Sequence, residues 1–333
     1  MRPRKSIFKK AQTENGPEKL LKELPGGADL KNLLGDINRI LDPLDVEVII
    51  VQKKGCKVVF TNSRAKARIR NNQGRANSCN TGYAAHFQNL CVHCPYSWRS
   101  KETGQRNHEI EDKDKRRYSI KSSIINWIDN EPAAVFILRD ITADVEANER
   151  LYTLAYFDQL TGVPNRQRLK DDFGAMELRI ANNELSGIVA LCDLDFFKSV
   201  NDTYGHNTGD SVLRLLTEQL QGDKTFRGHI YRLGGDEFVL LYFNPAGKFK
   251  SEQEIKKHYN NLLSAALRAY TLPNIDVKCT LSIGVSIFPV NGSSLSEVLR
   301  KADIALYQAK ASGRNKIVFF TDQADSAQKL KEW

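Results

Sequence analysis

Apolar residues recur at helical spacing from Leu20 to Leu41: Leu20, Leu21 and Leu24, then Leu30, Leu33, Leu34, Ile37 and Leu41. This pattern predicts two helices split by the Pro-Gly-Gly at 25–27. The period then changes. Val46, Val48, Ile49, Ile50 and Val51 form a β-branched run, Lys53-Lys54-Gly55 reads as a turn, and Val58-Val59-Phe60 reads as a second strand. Residues 62–116 are irregular, polar and cysteine-bearing. Strand character returns at Tyr118–Ile128 and at Ala133–Leu138. Ile141–Asp158 reads as one helix. Its Ile141, Val145, Tyr152 and Ala155 fall on one stripe, with Asn148 the polar exception, and such a stripe can form a parallel seam between two copies of a chain.

Beyond Asp158 helices and strands alternate. Strands are predicted at Ile188–Asp193, as a pair over Ile230–Tyr242 around Gly234-Gly235, at Val277–Phe288 and at Ile317–Phe320. Helices are predicted at Val212–Leu220, Ile255–Tyr270 and Leu295–Ala311. This order predicts an α+β domain with a central, mostly antiparallel sheet flanked by helices.

Composition adds bounds. A chain of 333 residues that is 41% hydrophobic suits two globular domains with separate cores. No apolar run reaches the roughly 18 residues that cross a bilayer. The basic stretch Met1–Lys10 has no apolar segment after it, so a secretory signal is not expected. These features predict a cytoplasmic protein whose signal is soluble, internal or delivered by a partner. The net charge of +9 is uneven: residues 1–150 hold 27 Lys+Arg against 19 Asp+Glu, leaving 22 against 21 for the rest. From Val48 to Lys101 there is no acidic residue. A solvated basic face explains this more simply than an anion-binding one. No helix-turn-helix spacing, zinc-finger pattern or aromatic platform is found, so no nucleic-acid partner is expected. Six cysteines (Cys56, Cys79, Cys91, Cys94, Cys192 and Cys279) in a cytosolic chain are expected to be reduced.

Two segments carry candidate chemistry. In Tyr231–Leu241, YRLGGDEFVLL, two glycines sit between strand-forming runs and supply the positive φ that a tight hairpin needs. Asp236 and Glu237 follow at its tip, where both acids can approach one site or form a plain solvent-exposed acidic turn. In Ile188–Asp210 an apolar strand runs into Asp193, and a carboxylate ending a buried strand calls for a metal or a partner cation. Asp195 lies two residues on, then a helix start at Phe196, Phe197 and Lys198. Asn201, His206 and Asp210 follow, with Gly205 and Gly209 breaking the periodicity. A carboxylate that accepts two parallel donors can read the N1 and N2 edge of guanine. Alternatively, Asn201 and Asp210 are cap or turn residues.

Together these segments resemble the GGDEF family of diguanylate cyclases. Asp158–Arg166, DQLTGVPNR, resembles the family's opening D-x-L-T-G-L-P-N-R. Ser282-Ile283-Gly284-Val285 resembles its central strand, and Ala302–Lys310 with Gly313-Arg314-Asn315 resembles its closing helix. The resemblance covers residues 158–320. It implies a diguanylate cyclase that condenses two GTP into cyclic di-GMP as a homodimer. Asp193 and Asp236 would hold Mg²⁺ (Mn²⁺ is an alternative) with the backbone carbonyl of Leu194. Glu237 or Asp236 would accept the proton of the attacking 3′-hydroxyl. Asn201 and Asp210 would read guanine, with His206 nearby. Lys198, Lys310 and Arg314 would bind phosphates, as would the backbone amides of Phe196 and Phe197. Two details refine this. Where many relatives carry an Arg-x-x-Asp feedback motif, this chain has Thr225 and Gly228, so feedback inhibition is expected to be weak or absent. Asp210 stands where relatives that make a mixed GMP–AMP product carry Ser, which favours GTP.

Residues 38–142 resemble a PAS sensor through Val58–Asn62 and through Val135–Thr142 with its Asp-Ile-Thr exit. Cys79, Cys91 and Cys94, with His86, are a candidate Zn²⁺, iron or thiol-sensing cluster, with structural thiols the plainer reading. Cys192 and Cys279 sit in strand patterns and read as small core residues. The expected organisation is a flexible basic tail at 1–16, a PAS-like sensor with N-terminal helices at 17–142, a linker helix at 143–157, a GGDEF domain at 158–322 and a tail at 323–333. The other reading of the same motifs is an inactive module that binds GTP or a cyclic dinucleotide. Retention of Asp193, Asp236 and Glu237 favours the enzyme.

Overall fold

The computed structural model describes residues 27–52, 57–71, 106–112, 114–127, 131–245, 247–271 and 278–322. The chain divides into two compact units, Met1–Glu149 and Arg150–Trp333. Cys79, His86, Cys91 and Cys94 lie outside the described residues, as does the first of the two predicted N-terminal helices.

In the first unit the described elements are α1 (Gly27–Leu41), β1 (Glu47–Gln52), β2 (Lys57–Thr61), α2 (Ser63–Asn71), β3 (Arg106–Glu111), β4 (Arg117–Asn126) and β5 (Pro132–Asp140). The strands form one antiparallel sheet in the order β2-β1-β5-β4-β3. Alternation along the strands sorts the core by face. Ile49 and Val51 pack with Tyr118, Ile120 and Ala65 of α2. Val48 and Ile50 pack with Leu34, Ile37 and Leu41 of α1. Asn62, fully buried, turns β2 into α2: its Oδ1 accepts from the amides of Val48 and Ala65 at 3.0 and 3.2 Å, while its Nδ2 donates to the Val46 carbonyl at 2.9 Å. The helix α3 (Thr142–Tyr156) follows, with no buried residue; Leu151, Tyr152 and Leu154 are exposed.

The second unit continues with α4 (Arg166–Gly174), α5 (Glu177–Ala181), β6 (Leu185–Leu194), α6 (Phe197–Tyr204), α7 (His206–Gly222), β7 (Ile230–Gly234) and β8 (Glu237–Pro245). Then come α8 (Glu252–Leu263), the short strands β9 (Tyr270–Thr271) and β10 (Lys278–Cys279), β11 (Leu281–Phe288), α9 (Leu295–Ala311) and β12 (Ile317–Phe319). Five strands pair in the order β12-β11-β6-β8-β7, antiparallel except between β11 and β12. The sheet is mostly antiparallel, as expected.

β6 is buried on both faces and therefore reads as a continuous apolar run. Ile188, Ala190, Cys192 and Leu194 face α6, α7 and α8. Leu185, Val189 and Leu191 face α4 and α9. Where β11 crosses α9, Gly284 lets the helix approach. A Cβ there would lie 2.1 Å from the Ala302 carbonyl and 2.2 Å from the Leu306 amide. Cys192 and Cys279 are buried free thiols, as expected of core residues, and burial pushes both thiol pKa values up.

Some boundaries differ from the pattern. The helix predicted to run to Tyr270 ends at Leu263, because Tyr270 belongs to β9 and is buried in the sheet's core. The strand predicted over Val277–Phe288 is broken at Thr280, between β10 and β11. α7 begins at His206, well before Val212, so Gly209 lies inside a helix.

Candidate active site

Strand parity and register set Asp193 and Glu237 on one face of the sheet. Asp193 continues the odd-numbered face of β6, the face that packs on α9, so it emerges beside that helix's last turn. There Lys310 places its Nζ 2.8 Å from the Asp193 Oδ1. The β6–β8 register sets Asp193 opposite Glu237. The hairpin between β7 and β8 closes through Gly235 and Asp236, with Gly234 paired to Glu237. Gly234 and Gly235 have φ of 142° and 54°, the region that costs glycine nothing. Burial is the largest influence on Asp193 and raises its pKa; the Lys310 hydrogen bond opposes it, and the Asp236 and Glu237 charges add to it. The net result is a carboxyl pushed up to about 6. This group is short of positive charge even with a lysine beside it.

A second network holds the hairpin tip. Arg232, 8% exposed, donates from Nε and Nη2 to the Gly235 carbonyl at 3.0 and 2.7 Å and from Nη1 to Asp158 Oδ1 at 2.7 Å. Asp158 also accepts from the Thr161 amide at 2.9 Å and the Thr161 hydroxyl at 2.6 Å, closing the Asp158–Val163 turn. Burial works to raise the Asp158 pKa, but these hydrogen bonds and the Arg232 charge outweigh it and hold it below the usual carboxylate range. The motif DQLTGVPNR is therefore a brace for the hairpin. Its Asn165 caps α4 by accepting from the Arg168 amide at 3.0 Å, and its Pro164 carbonyl accepts from the Arg232 amide at 2.8 Å.

Asp195 does not join the acids. β6 ends at Leu194 and the alternation ends with it. Asp195, 1% exposed, accepts from the Thr280 hydroxyl at 2.6 Å, the Ser282 hydroxyl at 2.7 Å and the Asn315 amide at 3.1 Å. It ties the end of β6 to β11 and to the loop after α9. Nothing local in the sequence marks this role, since every side-chain partner is 85 or more positions away.

The proposed guanine readers stand on α6 and α7. Asn201 is half-buried in α6, and its Oδ1 lies where a Cβ on Gly209 would sit, at 1.9 Å. Gly209 therefore makes room for the Asn201 side chain, a role hidden by its reading as a helix breaker. Phe197 is buried in the core, Phe196 is exposed, and Arg314 stacks over the Phe196 ring at 4.7 Å. Lys198 in the first turn of α6 and His206 at the start of α7 are exposed.

Among the described residues no group of three or more His, Cys, Asp or Glu side chains forms a ready-made metal cage. The residues that would hold a metal here are hard-oxygen donors, Asp193 foremost, whose carboxyl also feels the Asp236 and Glu237 charges. Mg²⁺ commonly takes one or two carboxylates and lets substrate phosphates complete its shell, so the excess negative charge here fits that ion.

A buried acid at a strand end, a braced glycine hairpin and basic residues at a helix C-terminus make up the candidate site. Residues 155–316 match the family model described as "Diguanylate cyclase, GGDEF domain", and the chain carries a domain of that family. It is 34% identical over 179 residues to the bifunctional diguanylate cyclase/cyclic di-GMP phosphodiesterase MucR of Pseudomonas aeruginosa, covering 54% of this chain and 25% of MucR. It is 35% identical over 184 residues to the cyclic di-GMP phosphodiesterase PdeR of Escherichia coli, covering 55% of this chain and 27% of PdeR. The response regulator PleD of Caulobacter vibrioides is 34% identical over 169 residues, half of this chain and 36% of PleD. The aligned region thus spans between a quarter and about a third of these curated relatives. Among solved structures, the isolated GGDEF domain of TpbB (YfiN) from Pseudomonas aeruginosa aligns with a TM-score of 0.45 at 25% identity, covering 52% of this chain and 99% of that one. No helix among the described residues is long and apolar enough to cross a membrane.

Proposed function

We propose that this chain is a diguanylate cyclase that joins two GTP into cyclic di-GMP and releases pyrophosphate. The observation that carries the reading is Asp193 at the end of β6, opposite Glu237 in the sheet register, paired with Lys310 and with its carboxyl raised in part by the Asp236 and Glu237 charges. Mg²⁺ or Mn²⁺, bound by Asp193, Asp236 and the Leu194 carbonyl, would neutralise the triphosphate and acidify the ribose 3′-hydroxyl. Lys310, Arg314 and Lys198 hold phosphate oxygens, with the amides of Phe196 and Phe197 at the start of α6. On binding, Lys310 leaves Asp193 for the phosphates. Asn201 and Asp210 read the guanine edge, with His206 alongside, and Glu237 or Asp236 takes the 3′-hydroxyl proton. One domain supplies one GTP, so closing the product ring requires a second copy facing the first. The active species is a homodimer, and the stripe that starts at Ile141 and runs along α3 through Val145, Tyr152 and Ala155 is its seam. The first unit is a PAS-like sensor: the segments that resemble that family are β2 and the exit of β5 into α3. A signal that changes the pairing of α3 changes the rate. The enzyme acts in the cytoplasm.

Purified protein incubated with GTP and Mg²⁺ should yield cyclic di-GMP by mass spectrometry. Asp236→Ala should abolish product while leaving the melting profile intact. GTP binding without any turnover would replace this reading with that of an inactive nucleotide-binding module.

A further inference from the structure

Three non-glycine residues of the second unit's site region adopt left-handed backbone: Phe196 at φ 63°, Arg314 at φ 60° and Asn315 at φ 48°. L-residues resist this region, so it persists only where surrounding contacts impose it. The buried Asp195 carboxylate holds the Asn315 amide at 3.1 Å while its own amide donates to the Thr280 carbonyl at 2.8 Å, and the Arg314 amide donates to the Ala309 carbonyl at 3.0 Å. The chain at 195 and the chain at 315 are thereby clasped. The side chains on either side of the clasp, Phe196 and Arg314, emerge together and stack with the guanidinium carbon 4.7 Å from the ring centroid.

We infer that Phe196 is a positioning residue whose ring aims the Arg314 guanidinium at the triphosphate; the inference rests on the nucleotide reading above. Phe196 is 63% exposed, so its ring contributes little to the core. With its guanidinium carbon over the ring face, Arg314 still has N–H donors to offer to phosphate oxygens. A long, flexible side chain held in this way loses less freedom when it binds. The backbone amide of Phe196 and the side chain of Phe196 thus serve one phosphate site by different routes, and substitutions that keep the amide isolate the ring.

The test uses the full chain and four variants: Phe196→Leu, Phe196→Trp, Arg314→Ala and the double variant Phe196→Leu/Arg314→Ala. Affinity for α,β-methylene-GTP with Mg²⁺ is measured by calorimetric titration, and KM and kcat for GTP by product formation. An exposed cation–π contact predicts about two- to fivefold weaker binding for Phe196→Leu. KM should rise by the same factor with kcat held, and the melting midpoint should not move. Phe196→Trp should bind as the natural chain does or more tightly. In the Arg314→Ala background Phe196→Leu should add nothing. Unchanged affinity in Phe196→Leu, or an equal loss with and without Arg314, overturns the inference while the nucleotide reading stands. Failure of the natural chain to bind the analogue overturns both.

Discussion

Replacing Arg232 with Met tests the brace on which the hairpin depends. The side chain is nearly the same length and stays apolar along its stem, so the perturbation is confined to the guanidinium. Three hydrogen bonds at 2.7–3.0 Å disappear, two to the Gly235 carbonyl and one to Asp158. A hydrogen bond to a charged group contributes about 1.5–3 kcal/mol, and stripping one partner from a buried ion pair costs about 3–5 kcal/mol. The Asp158 side chain is 24% exposed, which tempers the upper figure to about 2–4 kcal/mol in all. For a domain of this size each kcal/mol moves the midpoint by about 2–4 °C, so calorimetry should show the second unit melting about 4–16 °C lower. The loss must also depend on pH with a defined sign. Asp158 is held below its ordinary range, so its contribution is present above the unfolded value of about 4 and vanishes as pH falls through the folded value. The gap between Arg232→Met and the natural chain should therefore be full at pH 7 and narrow in acid. Arg232→Lys should fall between the two, because a single ammonium cannot serve both Asp158 and Gly235 in fixed geometry. A midpoint within a degree or two of the natural chain, or a gap indifferent to acid, would refute the brace.

Gly209→Ala should weaken GTP binding at least tenfold while barely altering the melting midpoint: the new methyl meets the mobile end of Asn201, and a helix gains propensity from alanine. Gly284→Ala should do the reverse in order of cause. Its methyl would strike the backbone of α9, costing about 3 kcal/mol or more in denaturant titration, with activity falling only as the folded fraction falls. Added cyclic di-GMP should leave initial rates unchanged, because Thr225 and Gly228 occupy the positions of the Arg-x-x-Asp motif; a submicromolar inhibition constant would contradict that.

Much of the second unit was legible along the chain, because β6, β8 and β11 are buried on both faces and its helices show apolar stripes. α9 was bounded correctly from pattern alone, since Ser294 caps it by accepting from the Glu297 amide and Gly313 lies just beyond its end. The acids at Asp193, Asp236 and Glu237 were visible as charges in apolar surroundings. Local periodicity failed where a partner outside the segment decided. Tyr270 looked helical and became a strand residue because the core needed its ring, and Gly209 looked like a breaker and proved to be space for Asn201.

Sequence alone thus determined which residue types stand at the strand end and the hairpin tip, because burial and turn chemistry act over a few neighbours. Only the tertiary structure decided how Asp193 and Asp195, two positions apart, part company: one stays beside Lys310 and the hairpin acids, while the other turns inward to Thr280, Ser282 and Asn315. Strand register and the end of β6 settle that division, and both depend on contacts between segments far apart in the chain.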